Sequence, residues 1–135
     1  MKKKLFLCAC CVWCLCGCTN NQEADFNYTN EEQIEKEIIT NMEQIVEVTD
    51  KTSSNPYDYT KNEYYKNIVN LGKDAVPVLE DMYNKGKLTG VNAYLSALVI
   101  QDITKCNLNE KYNLDWSTAE EFYDLWKDNN CSYKK

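Results

Sequence analysis

The segment Val91-Asn92-Ala93-Tyr94-Leu95-Ser96-Ala97-Leu98-Val99-Ile100-Gln101-Asp102-Ile103 limits the fold more than any other part of the chain. It is apolar nearly all the way round. Thirteen residues suit a buried helix better than a strand, since strands of this character run to about 4–8 residues. A helix without a polar stripe must be enclosed by other elements. The rest of the chain therefore has to supply amphipathic neighbours that wrap it.

Those neighbours are legible from caps and periods. Thr29-x-x-Glu32 has the form of a capping box, in which each residue satisfies the other's backbone N–H. Ile34, Ile38, Met42, Ile45 and Val46 follow at helical spacing, predicting a helix over about 31–48. Thr52-Ser53-Ser54-Asn55-Pro56 breaks it. Thr60-x-x-Glu63 predicts a second box, opening a short helix with Tyr64, Tyr65, Ile68, Val69 and Leu71 that stops at Gly72. Lys73-Asp74-Ala75-Val76-Pro77 opens a third helix, where proline is tolerated because a first-turn N–H has no partner anyway. Its apolar stripe is Val76, Val78, Leu79, Met82 and Tyr83, and Lys85-Gly86 ends it. Asn107 to Asp115 is polar and reads as irregular. Ser117-x-x-Glu120 predicts a box for a last helix over about 118–128, with Ala119, Phe122, Tyr123 and Trp126 on one face. No stretch alternates with period two for long enough to demand a sheet. The expected fold is all-α, a compact bundle of about four to five short helices.

The chain begins quite differently. Met1-Lys2-Lys3-Lys4 is basic, Leu5 to Cys16 is apolar, and polar residues follow from Thr19. This is the layout of a secretory signal. Twelve helical residues reach about 18 Å, short of the roughly 30 Å of a hydrocarbon core, so a spanning helix is the weaker reading. Leu15-Cys16-Gly17-Cys18 resembles a bacterial lipobox. The resemblance implies diacylglyceryl transfer to the thiol of Cys18 and cleavage before it, leaving a lipid-anchored protein on the extracytoplasmic face of the cell membrane. Two acyl chains are what stable anchoring requires. The expected organisation is a signal peptide over 1–17, a flexible linker over 18–30 and a helical domain over 31–135. Six of the eight cysteines lie in the first 18 positions; the five besides Cys18 would leave with the signal, where they act as small apolar residues, not metal ligands.

A second resemblance is more local. Leu71-Gly72-Lys73-Asp74-Ala75-Val76-Pro77-Val78-Leu79 looks like the turn and second-helix start of a HEAT-type repeat, implying one or two HEAT-like helical hairpins. Leu71-Gly72, Ala75-Val76-Pro77-Val78-Leu79-Glu80 and Trp116-x-x-Ala119-Glu120-Glu121-Phe122-x-x-x-Trp126 also resemble domains appended to secreted lipoproteins and antibiotic-sensing membrane metallopeptidases of Gram-positive bacteria. That likeness implies a non-catalytic extracytoplasmic module, since this chain has no histidine with which to bind zinc.

Composition excludes much else. Without histidine there is no Ser-His-Asp or Cys-His machinery. All 15 basic residues are lysine, against 21 acidic ones, and removal of the signal leaves a side-chain charge of −9. Nucleic-acid binding, which needs a dense basic patch, is not expected. No cofactor or metal is expected either. Glu120, Asp124 and Asp128 share a helical face that points to solvent. Asn107, Asn109, Asn113 and Asp115 lack the glycine and glutamate of a calcium loop. Asp102 is the one acid expected to be buried, as a carboxylate-only enzyme would require.

Three expectations about sites follow. Cys106 and Cys131 form the candidate disulfide, closing a loop of about 25 residues worth roughly 3 kcal/mol. Tyr57, Tyr59, Tyr64 and Tyr65 form the candidate interaction surface, because tyrosine offers an amphipathic ring with few torsions. The expected function is that of a lipid-anchored binding domain engaging a protein at the cell surface. The alternative is a small-ligand or envelope-stress sensor working with a membrane signalling protein, which predicts a cavity lined by Tyr83, Tyr94, Leu98 and Phe122.

Overall fold

The computed structural model describes residues 29–129 and residue 131. Cys18, the signal segment and nearly all of the expected linker lie outside the described residues. The described chain is all-α: α1 (Asn30–Val48), α2 (Glu63–Asn70), α3 (Ala75–Asn84), α4 (Gly90–Thr104), α5 (Leu108–Tyr112) and α6 (Ala119–Asp128), with 3₁₀ turns at Pro56–Thr60 and Gly72–Asp74. Among the described residues no helix is long and apolar enough to cross a membrane.

Helix α4 lies at the centre. It packs against α2, α3, α6 and the first 3₁₀ turn, while α1 closes over α2 and α3. Leu95, Ser96, Ala97, Leu98, Val99 and Ile100 are buried in an unbroken run, which covers every side of the helix. Ile38, Met42 and Ile45 reach the same core from α1, Val76, Val78, Leu79 and Met82 from α3, and Phe122, Tyr123 and Trp126 from α6. Ser96 is the one fully buried polar side chain in this core. Its hydroxyl donates to the Ala93 carbonyl at 2.6 Å. A carbonyl can only accept, so the Tyr123 hydroxyl, 2.8 Å away, donates to Ser96 Oγ. Burial holds the Tyr123 phenol well above its ordinary pKa. Trp126 similarly donates its indole N–H to Glu80 Oε1 at 2.7 Å.

Helix ends follow the sequence unevenly. The Thr29–Glu32 box is present in full, with α1 starting one residue before the expected position. The expected Thr60–Glu63 box does not form. Thr60 belongs to the 3₁₀ turn and donates its hydroxyl to the Tyr57 carbonyl, and Asn62 caps α2 instead, accepting from Tyr65 N. The last box is shifted by one residue, to Thr118 and Glu121. Ser and Thr stand side by side there, as do Glu120 and Glu121, so the pattern alone reads either way. Putting Phe122, Tyr123 and Trp126 inward selects the later register. Helix α3 ends in a Schellman motif: Gly86 N bonds Tyr83 O and Lys87 N bonds Met82 O. Gly86 takes the left-handed conformation this requires at φ 70°.

The segment expected to be irregular, 107–115, contains α5. Asn107 caps it by accepting from Asn109 N and Glu110 N, and Leu108 is fully buried. Leu108, Tyr112 and Leu114 are the hydrophobic residues of these nine, and a helix of little more than one turn is too short for them to reveal its period.

Thr118→Ala and Asn62→Ala are each expected to cost about 1 kcal/mol, whereas Ser117→Ala and Thr60→Ala cost only a few tenths. Urea denaturation of the four variants checks the two shifted caps. Phe122→Ala is expected to cost about 3–5 kcal/mol, because a fully buried ring leaves a cavity.

Candidate binding groove

Among the described residues no one recess joins Tyr83, Tyr94, Leu98 and Phe122 as the sensor reading expected. Phe122 is fully buried and packed by Trp116, Tyr123 and Trp126. Tyr83 stacks on Tyr123 with ring centroids 3.8 Å apart. Tyr94 leans on Trp116 at 4.8 Å. Aromatic rings fill the space between α3, α4 and α6, because planar groups of this size pack efficiently by stacking and edge contact.

Open space borders α4 on the face that carries Tyr94, Leu98 and Gln101. A groove of about 500 Å³ runs over the C-terminal half of that helix. Leu98, Gln101 and Asp102 line it from α4, Tyr57 and Thr60 from the first 3₁₀ turn, Tyr65 from α2, and Asn107 and Glu110 from α5 and its cap. Two further compartments adjoin it. One of about 270 Å³ extends toward Tyr94, Asp115 and Trp116, and one of about 410 Å³ extends along α2 to Lys66 and Asn70. The volume falls within the 300–1,000 Å³ usual for small-molecule sites.

Local hydrogen bonds hold the walls in place. Asn55 accepts from Tyr57 N at the start of the 3₁₀ turn, and Pro56 presets the backbone there. Asp58 bonds Ser53 and Lys61 across the same turn, and these partners hold its carboxyl below the usual carboxylate range. The ring of Tyr57 is thus presented to solvent on a braced segment, 57 % exposed. On the other wall, Leu108 N donates to Gln101 Oε1 at 3.1 Å, tying α5 to the groove floor. Lys105 makes the corner between α4 and α5 in the left-handed conformation, at φ 54°. A lysine there carries strain of about 1 kcal/mol or more that glycine would avoid.

The four candidate tyrosines do not form one surface. Tyr57 is exposed, Tyr59 and Tyr64 are half-buried against the core, and Tyr65 is buried. The Tyr65 hydroxyl donates to Asp102 Oδ2 at 2.7 Å. Burial, and then the Asp102 carboxylate, push its pKa upward. Tyr57 and Tyr65 do meet across the groove. Asp102, expected to be buried, is exposed at the groove mouth, because it stands where α4 emerges from the core. Among the described residues the buried polar groups are Thr49 and Ser96, and no acid is among them. Glu120, Asp124 and Asp128 are all exposed. Asn109 donates to Asp115, so these two side chains of the polar segment bind each other. Lys105, Gln101 and Trp116 are groove residues that the sequence did not mark as such; Gln101 sits on a helix read for its apolar content, and Lys105 just beyond its end.

A second cleft, between the start of α1 and α3, is lined by Glu31, Glu35, Asp81, Lys85 and Lys87. Four of these charges pair off, as Lys85–Asp81 and Lys87–Glu35, and no aromatic side chain lines this cleft.

Cys106 and Cys131 are both free thiols, with sulfurs 3.1 Å apart. They bring the end of α6 against the α4–α5 corner. Burial, helped by the neighbouring thiol, pushes the Cys106 pKa up to about 11.

No known protein family, characterised protein or solved structure matches the chain.

Since only the thiolate reacts, Cys106 is expected to alkylate slowly at pH 8, where about one part in a thousand is ionised, and about tenfold faster for each unit of pH up to 11. Peptide mapping after timed iodoacetamide treatment measures this. Oxidised glutathione is expected to join Cys106 to Cys131 by exchange, its disulfide taking up the two electrons and two protons released. The linked form should gain roughly 3 kcal/mol in urea denaturation.

Proposed function

We propose that this protein is a lipid-anchored, non-catalytic binding module on the extracytoplasmic face of the membrane, with the α4 groove as its binding face. The single observation that carries the binding assignment is that groove. It is a recess of about 500 Å³ with an exposed aromatic residue on a braced turn and, on its floor, Gln101 and Asp102, each with one polar atom left for a ligand. The location rests on the sequence, where Leu15-Cys16-Gly17-Cys18 resembles a lipobox that would leave Cys18 acylated and a short polar stretch before α1.

The occupant is a component of the cell envelope. A sensor acting with a membrane signalling protein is a second reading, favoured by a recess of small-molecule size rather than a broad flat patch. Both readings use the same groove. The resemblance of the 71–80 and 116–126 segments to modules of Gram-positive lipoproteins and membrane metallopeptidases agrees with either.

The full chain, expressed in a Gram-positive host with an alkyne analogue of palmitate, is expected to take up label and to partition with membranes. Cys18→Ser should lose the label and leave the acylated membrane fraction. An unlabelled parent chain, or equal labelling of both, rejects the anchor. A photoreactive aromatic amino acid in place of Tyr57 should give adducts with envelope material in intact cells, and the same group in place of Tyr112, which is exposed away from the groove, should not. Equal capture at the two positions rejects the groove as the binding face.

A further inference from the structure

We infer that the α4 groove binds a saccharide, and specifically an uncharged or amino-bearing one. The inference rests on the binding assignment above and names the chemistry of its ligand.

A sugar ring presents two kinds of surface. Its hydroxyls each donate and accept, and are best met by planar side chains that offer both functions. Its C–H face is weakly positive, and is best met by the negative face of an aromatic ring. The groove supplies both. Gln101 uses Oε1 to accept from Leu108 N, which fixes the amide plane and leaves Nε2 with no hydrogen bond among the described residues. Asp102 uses Oδ2 to accept from Tyr65, which leaves Oδ1 in the same position. A donor and an acceptor thus stand on successive residues of one helix, each held by a bond from behind. Lys105 and Glu110 repeat the pairing of donor and acceptor across the floor. Tyr57 and Trp116 provide ring faces beside the compartment that adjoins this floor.

The same features disfavour a polypeptide. An all-α domain has no sheet edge for strand addition, and an amphipathic helix needs a run of apolar sockets. Leu98 is the sole aliphatic residue on the floor of the main compartment. A proline-rich segment needs apolar slots between rings, and here Gln101 and Asn107 occupy that position. Charge narrows the class further. Asp102, Glu110 and Asp115 face the recess and its adjoining compartments against Lys105 and Lys66, in a chain of net negative charge. A uronate or other acidic sugar would meet repulsion, whereas an amino group would meet carboxylates.

The test uses the full chain in a detergent that is not a glycoside. Isothermal titration with oligomers of N-acetylglucosamine, glucose, glucosamine and galacturonate supplies the probes. At least one of the first three is expected to bind, and galacturonate to bind at least tenfold more weakly. Tyr57→Ala should weaken binding about tenfold or more. Asp102→Asn keeps an acceptor for Tyr65 and should weaken the glucosamine oligomer more than the neutral ones. Tyr112→Ala, outside the groove, should leave every affinity unchanged. Thermal melting of each variant separates lost binding from lost fold, and a variant that melts is replaced by Tyr57→Ser or Asp102→Ser. Absence of binding by all four oligomers overturns the inference. So does undiminished binding in folded Tyr57 variants, galacturonate binding as tightly as the neutral sugars, or a polypeptide as the adduct at position 57. In the last case the binding module stands and only its ligand changes; loss of both the adduct and the acylation would remove the module reading itself.

Discussion

Enclosure of α4 is the constraint on which the rest of the structure depends. Six consecutive buried residues leave that helix no solvent face over nearly two turns, so it must be surrounded, and in about a hundred residues only a wrap of short helices can do so. Each neighbour then needs just one apolar stripe. α1, α3 and α6 each bring such a stripe, and the polar side of each faces water. Burying Ser96 in this setting is tolerable because its hydroxyl has a carbonyl to donate to and a phenol to accept from; an unpaired hydroxyl in the same place would cost about 1–3 kcal/mol.

The enclosure also decides where open space can exist. Between α3 and α6, large rings meet edge and face, and a surface recess of about 270 Å³ remains along Glu80, Tyr83 and Asp124. At its C-terminal half, α4 outruns its cover. The 3₁₀ turn at Pro56–Thr60 and the short α5 approach its C-terminal half without closing over it, and Lys105 turns the chain sharply at the end of the helix. The groove is therefore a by-product of how a long central helix meets two elements too short to cover it. Its polar lining follows from the same fact, since Gln101 and Asp102 lie where α4 leaves the core.

Much of the fold could be read from periodicity and much of the site could not. The five longer helices were legible because each carries three or more apolar residues at helical spacing. α5 was not, since its five residues hold just Leu108 and Tyr112 as hydrophobic positions, and the burial of Leu108 depends on α4 being there to receive it. The capping boxes show the limit well. Thr29–Glu32 has no competing neighbour and was read correctly. Ser117–Glu120 and Thr118–Glu121 are both well-formed boxes, and packing of Phe122 and Trp126 chose between them. Thr60–Glu63 matches the pattern and is not used, because the preceding proline and Asn55 commit Thr60 to a 3₁₀ turn.

By itself the sequence determined the class of fold, the central helix, the stripes that face it and the lipobox-like segment at the start of the chain. These are local properties: hydrophobic spacing and residue identity carry them, and no distant contact is needed to evaluate them. Only the tertiary structure decided that Tyr83, Tyr94, Leu98 and Phe122 share no common cavity, that Asp102 is exposed and bonded to Tyr65 from 37 positions away, and that the sulfurs of Cys106 and Cys131 touch. Each of those depends on which surfaces of different helices meet. That is settled by the collective packing of the core, in which moving one ring would displace its neighbours.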